Sequence, residues 1–152
     1  MDVSDLRRLD LSELEALYTS ERTVTVPEGV FVGTNLAWLE RPRSQHRAIR
    51  PALWLLFGLV PYGVDFDRSR WFFLSKRSPR IGRFDPVVGR SRWRDTETVR
   101  LHYERSRLPG PVRSMLYDEV KPLTSSTCLG IGGLNADRGQ GEQFFFALER
   151  VG

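Results

Sequence analysis

The chain has 152 residues, 40% of them apolar and 28% charged, which suits one folded domain spanning 1–152 and excludes a disordered chain. No apolar run nears the roughly 18 residues that cross a bilayer, residues 1–9 lack the apolar core of a secretory signal, and the single Cys128 excludes an internal disulfide framework and a cysteine-based zinc cluster, so a cytoplasmic protein is expected. Charge is uneven: three Arg face eight acids over 1–40 (net −5), sixteen Arg and Lys76 face six acids over 41–113 (net +11), and Lys121, Arg138 and Arg150 face five acids over 114–152 (net −2), for a total of +4.

Residues 10–20 read as a helix. Ser12 and Glu15 have capping-box spacing, so hydroxyl and carboxylate can satisfy the first free amides, and Leu11, Leu14, Leu17 and Tyr18 fall on one face. Residues 1–9 extend it as a separate turn, making 1–22 a helical segment that lies against a β body spanning 23–150 or plugs its end. Residues 23–26 alternate as a strand, Pro27-Glu28-Gly29 turns, and 29–39 form a long strand in which Gly29 and Gly33 leave room for a bend. Residues 41–50 are a polar loop. Pro51 suits the first position of a short apolar helix, which Gly58, Pro61 and Gly63 end.

Residues 71–74 are a buried strand, and 81–85 a second one closed by Pro86. Residues 96–104 alternate most clearly, with Val99, Leu101 and Tyr103 on one face and Arg100, His102 and Glu104 on the other. Pro109-Gly110-Pro111 breaks the pattern, 112–116 make one helical turn, and 117–120 are a strand ended by Pro122. The last pair, 128–134 and 143–149, flanks the turn-forming residues 135–141. Seven to nine short strands without helical crossovers predict a mainly antiparallel β protein, either an up-and-down barrel or a sandwich. Closure would remove exposed edges, and about eight strands enclose room for one small ligand.

Several segments resemble a known family in order along the chain. Gly29-Val30-Phe31-Val32-Gly33 is similar to the G-x-W-x-G signature of a calycin-like family of small bacterial proteins, with Phe in place of Trp. Gly82-Arg83-Phe84-Asp85 is similar to its Gly-Lys-x-Phe element, and Met115-Leu116-Tyr117-Asp118 to its Met-x-Tyr-Asp segment. Leu129-Gly130 and the run from Phe144 to Arg150 are similar to its Leu-Gly and Phe-Phe-x-Leu-Glu-Arg ending. The resemblance implies a lipocalin-like, calycin-like antiparallel β-barrel with a short N-terminal helix and an apolar cavity. It implies a hydrophobic small molecule as partner. Some relatives of that architecture bind haem, and others fold a polyketide-like substrate for cyclisation or isomerisation.

The aromatic residues Phe31, Trp38, Trp54, Trp71, Phe73, Tyr103, Phe144 and Phe146 can line such a cavity or simply fill it. Because side chains alternate, Phe145 faces away from Phe144 and Phe146, so that strand must be covered on both faces: a barrel interior and the N-terminal helix would do it. Arg47, with Arg43, Arg50 and Arg83, would place guanidinium groups at the mouth to meet an anionic end.

The polar cluster Tyr117, Asp118 and Glu119, with Lys121, can supply acid–base chemistry in a dry pocket or serve as structural pairing with arginine. Alternation lets either Asp118 or the Tyr117–Glu119 pair face the cavity, not all three. His46, in the polar loop, is a candidate axial haem ligand or an exposed residue, and His102 reads as solvent-facing. Two isolated histidines give little reason for a metal site, and no cofactor is called for. Residues 130–133 lack the Lys-Ser/Thr of a phosphate loop. The arginines follow no single helix face and no nucleic-acid-binding motif occurs, so nucleic acid is not the expected partner. The expected function is binding of a hydrophobic or amphipathic small molecule in a barrel cavity, with a cofactor-independent cyclase or isomerase as the alternative.

Overall fold

The computed structural model describes residues 1–38, 62–73, 80–107, 110–134 and 143–152. Two short helices, α1 (Val3–Leu6) and α2 (Leu11–Thr19), lead into strands β1 (Val30–Trp38), β2 (Tyr62–Asp65), β3 (Arg70–Phe73), β4 (Arg80–Arg83), β5 (Asp85–Arg90) and β6 (Glu97–His102). Helix α3 (Gly110–Met115) precedes β7 (Leu116–Pro122), β8 (Thr127–Leu134) and β9 (Gln143–Val151). The loop over 41–50, the helix over 51–59 and the turn over 135–141 lie outside the described residues.

All strand pairs are antiparallel, in the order β4-β3-β2-β1-β9-β8-β7-β6-β5. First and last strands pair with each other, so the meander curls back on itself. The sheet edges are β4 and β5, which only Phe84 separates in the chain. They therefore lie beside one another and the barrel is nearly closed. The register climbs on the way round, from Arg83, Arg70, Asp65 and Val30 on one side to Asp85 and His102 on the other. That stagger is what tilted barrel strands require.

Alternation then sorts the side chains. Phe31, Val64, Trp71, Phe84, Val99, Leu101, Tyr103, Val120, Cys128, Phe144, Phe146 and Leu148 pack together inside. Leu129, Ile131, Phe145 and Ala147 point outward, where Val3, Leu6, Leu14 and Tyr18 of the helices cover them. The three consecutive Phe of β9 thus serve two layers: Phe145 meets the Tyr18 ring edge-on at 6.0 Å, while Phe144 and Phe146 lie inside, 6.0 Å apart. Glycines opposite make this possible. A Cβ at Gly130 would stand 2.3 Å from the Phe146 ring, and one at Gly132 2.5 Å from the Phe144 ring, so each ring lies flat on bare backbone.

Four sequence expectations are corrected. The capping box of α2 is Asp10 with Glu13, each side chain accepting from the other's amide, instead of Ser12 with Glu15. Starting the helix earlier leaves Leu11 exposed and frees Glu15 to pair with Arg94. Residues 23–26 join no ladder, although Val24 is buried in the interior cluster. Gly63 is a residue of β2 instead of a helix end: a Cβ there would overlap the Phe72 ring, at 2.2 Å. Pro86 does not close a strand but sits inside β5, opposite Leu101. A ring without an N–H is tolerated there because β5 is an edge strand.

Candidate functional site

Strand β7 divides the polar cluster between the two faces of the barrel wall. Val120 packs in the interior, so Asp118, two positions before it, points inward, and Tyr117, Glu119 and Lys121 point outward. The site that faces the interior is therefore Asp118, not the Tyr117–Glu119 pair.

Asp118 belongs to a hydrogen-bonded line drawn from β3, the residue after β6, and β7. The Trp71 indole N–H donates to the Tyr103 hydroxyl at 2.5 Å, and the Tyr103 hydroxyl donates to Asp118 Oδ2 in a short hydrogen bond. No other donor among the described residues reaches this carboxyl. Rings surround the line: Trp71 packs on Phe84 at 6.5 Å and on Phe146 at 6.3 Å, and Phe84 packs on Tyr103 at 6.5 Å. Gly132 provides the floor, since a Cβ there would lie 2.8 Å from Asp118 Oδ1. Asp118 itself keeps some accessible surface while Trp71, Tyr103 and Phe144 are buried.

Burial pushes the Asp118 carboxyl up to about 7. The hydrogen bond from Tyr103, which favours the charged form, opposes this, and the nearby Glu119 adds to it. The Tyr103 hydroxyl is held well above its ordinary value, first by burial and then by Asp118, so it remains a proton donor. A protonatable group near neutrality in an aromatic interior can recognise a ligand oxygen or move a proton.

The outward groups do something else. Glu119 is fully buried beneath α2. Its oxygens accept from the Tyr18 hydroxyl at 2.9 Å, the Tyr117 hydroxyl at 2.6 Å and the Arg92 amide at 2.6 Å. Tyr18 also stands 3.1 Å from the Thr98 hydroxyl, which donates to the Val120 carbonyl at 2.9 Å. Lys121, equally buried, donates to the Ser20 carbonyl at the end of α2 at 2.7 Å and to the Thr96 hydroxyl. Burial lowers its pKa, Arg22 lowers it further, and Glu97 opposes both. This network fastens the helix to the wall. It joins Glu119 to tyrosines and a backbone amide, while the Arg92 guanidinium lies over the Tyr117 ring at 4.2 Å.

Of the other candidates, Phe31 is buried inside, edge-on to Phe66 at 5.5 Å. Trp71, Tyr103, Phe144 and Phe146 share the interior with it. Trp38 pairs with Phe144 and Phe73 with Tyr62 along the backbone; their side chains lie outside the described residues, as do Arg43, His46, Arg47, Arg50 and Trp54. Arg83 is exposed at the end of β4. His102 is half-buried on the outer face, its Nε2 3.2 Å from Arg100, and its pKa is lowered by burial and by that guanidinium. Cys128 is buried inside, and burial alone pushes its thiol up to about 12. Among the described residues no three His, Cys, Asp or Glu gather as metal ligands, and no helix is long and apolar enough to cross a membrane.

Sequence reasoning missed the Trp71–Tyr103 bond and the role of Tyr18. The one available signal was alternation, which put Tyr103 on the face of Val99 and Leu101.

No family model and no curated protein matches the chain. A crystal structure of a protein from Thermomonospora curvata is similar over 99% of this chain and 93% of its own, with a TM-score of 0.53 and 16% sequence identity. That similarity is one of fold, and it supports the barrel architecture.

Proposed function

We propose that this protein binds a hydrophobic or amphipathic small molecule inside the barrel, with the molecule's polar group at Asp118 and its apolar body against Phe144 and Phe146. The observation that carries the reading is a carboxyl placed in an aromatic interior with one oxygen bonded and the other without a described donor. Asp118 keeps some accessible surface, so a ligand can reach that oxygen, and a hydrogen bond made among rings is stronger than one in water. The likeness of Gly29–Gly33 and of the Phe144–Arg150 run to calycin-like proteins, and a cytoplasmic location, belong to the same proposal. The arginines at 43, 47, 50 and 83 would meet an anionic end of the ligand outside the interior.

The test is native mass spectrometry of the purified protein, followed by denaturing extraction, and fluorescence titration with apolar probes. A retained compound or one-to-one probe binding, lost in Phe146→Ala at unchanged fold, supports the reading. Wild-type protein that holds no compound and saturates with no probe refutes it.

A second reading has its own observation, the Asp118 carboxyl near 7. Asp118 would then pass a proton to or from a bound carbonyl compound, as a cofactor-independent cyclase or isomerase requires, with rate gained mainly from orientation. Tyr117 and Glu119, on the other side of the wall, take no part. Substrate binding without turnover in Asp118→Asn would favour this reading.

A further inference from the structure

Resting on the interior-binding reading, we infer that the interior selects a neutral group carrying a carbonyl oxygen, any anionic end of the same molecule staying outside, because the Trp71–Tyr103–Asp118 line leaves a proton donor at Asp118 Oδ1. An indole N–H can only donate. It occupies the acceptor side of the Tyr103 hydroxyl, whose one proton then points at Asp118 Oδ2. Oδ2 is therefore an acceptor whether or not the carboxyl is ionised, and the acidic proton has one place to sit, Oδ1.

The surroundings of Oδ1 favour that protonated form. The titratable groups facing the interior among the described residues are Asp118, Tyr103 and Cys128, none of them a cation. The charge closest along the chain is Glu119, an acid on the opposite face of β7. From β3 the line receives Trp71, from the residue after β6 Tyr103, and from β8 only the bare backbone of Gly132. The site of a Cβ at Gly132 would be 2.8 Å from Oδ1 and 2.5 Å from the tip of the Phe144 ring. Both distances are below contact, so Oδ1 and the ring tip already close over that backbone, and a group reaching Asp118 from its accessible side would lie beside the Phe144 ring. A ketone, ester or quinone oxygen matches this pairing. A carboxylate or phosphate meets a like charge once Asp118 ionises, and an ammonium requires the ionised form.

Binding of an oxygen acceptor holds the proton on Asp118, so affinity is linked to its titration. The test titrates the protein's tryptophan fluorescence with 2-acetylnaphthalene, 2-ethylnaphthalene and 2-naphthylmethylamine at pH 5.5 and pH 8.5. The ketone is expected to bind about tenfold more tightly than the hydrocarbon at the lower pH, the ratio that one well-made hydrogen bond gives. That preference falls towards one at the higher pH. In Asp118→Asn, the amide N–H stands where the Oδ1 proton stood, so the preference persists at both pH values. In Asp118→Leu it vanishes at both.

Equal binding of ketone and hydrocarbon to wild-type protein at pH 5.5 overturns this inference and leaves interior binding standing. So does tighter binding of the amine at that pH, or a pH-dependent preference in Asp118→Asn. Saturation by none of the three compounds overturns the interior-binding reading and this inference with it. An independent check uses wild-type protein alone: carboxyl carbon NMR must show the Asp118 titration moving upward when 2-acetylnaphthalene is bound, and an unmoved titration overturns the inference.

Discussion

Replacing Asp118 by Asn should stabilise the fold, increasingly as pH rises from about 4 to about 7. The folded carboxyl titrates near about 7, whereas an unfolded aspartate titrates near about 3.9. The folded value is raised, so between these two values the folded chain keeps a proton that the unfolded chain has released. Stability therefore falls as pH rises through that window, by up to about 1.4 kcal/mol per pH unit, and levels off above about 7 with a total near ~4 kcal/mol. Asp118 retains some accessible surface, so water relieves part of this and about 2–4 kcal/mol is the expected size. Asn is nearly isosteric, still accepts the Tyr103 hydrogen bond through its carbonyl oxygen, and carries no charge. Urea denaturation of wild type and Asp118→Asn from pH 4.5 to 8.5 gives the difference directly, because titrations common to both proteins cancel. The variant's advantage should grow across the window and stay constant above it. A flat difference, or a wild type that gains on the variant as pH rises, would refute the placement of this acid in a dry interior.

The remaining expectations concern the rest of the wall. Tyr18→Phe removes the hydroxyl that donates to buried Glu119, so it should cost about 1–3 kcal/mol in denaturation and speed amide exchange in α2; unchanged exchange there would count against the fastening role. Gly130→Ala forces a methyl group into the Phe146 ring and should cost about 1–3 kcal/mol, and Phe146→Leu in the same chain should recover part of it; additive losses would mean the ring is not the obstacle. The Cys128 thiol, buried and pushed up to about 12, should resist a disulfide reagent at pH 8 until the protein unfolds, so stoichiometric labelling of native protein would contradict its place inside the barrel. Tyr103→Phe deletes the one donor that favours ionised Asp118, and carboxyl carbon NMR should find the Asp118 titration moved up; a downward move would reverse the assigned direction of that bond.

What could be read from the sequence was what alternation carries. The faces of Val99, Leu101 and Tyr103, the two-sided coverage of Phe144 to Phe146, and the separation of Asp118 from Tyr117 and Glu119 all follow from the period of two, which needs no knowledge of the partner strand. Partners across long separations were not readable. Trp71 and Tyr103 are 32 residues apart, Tyr18 and Glu119 are 101 apart, and nothing local marks either pair. Two of the misreadings come from local signals that compete. Asp10 with Glu13 and Ser12 with Glu15 satisfy the same capping spacing, and the tertiary pairing of Glu15 with Arg94 separates them. Pro86 ends a strand only where a neighbouring strand needs its amide, and whether β5 lies at an edge is a property of the whole sheet.

Two neighbouring acids on β7 mark the boundary between structure and function in this barrel. Glu119 and Asp118 sit in the same strand and the same wall, Glu119 fully buried and Asp118 with some accessible surface. Glu119 accepts three donors from three elements and fastens a helix by doing so. Among the described residues Asp118 accepts one, from a tyrosine whose other side is already taken by an indole. Burial with a full set of partners contributes to the fold, whereas burial with an incomplete set detracts from it. The outer acid is therefore explained by the structure alone. The inner one lowers stability at neutral pH and faces rings and bare glycine backbone, with no second donor among the described residues. That asymmetry favours Asp118 over the better-partnered Glu119 as the proposed ligand contact.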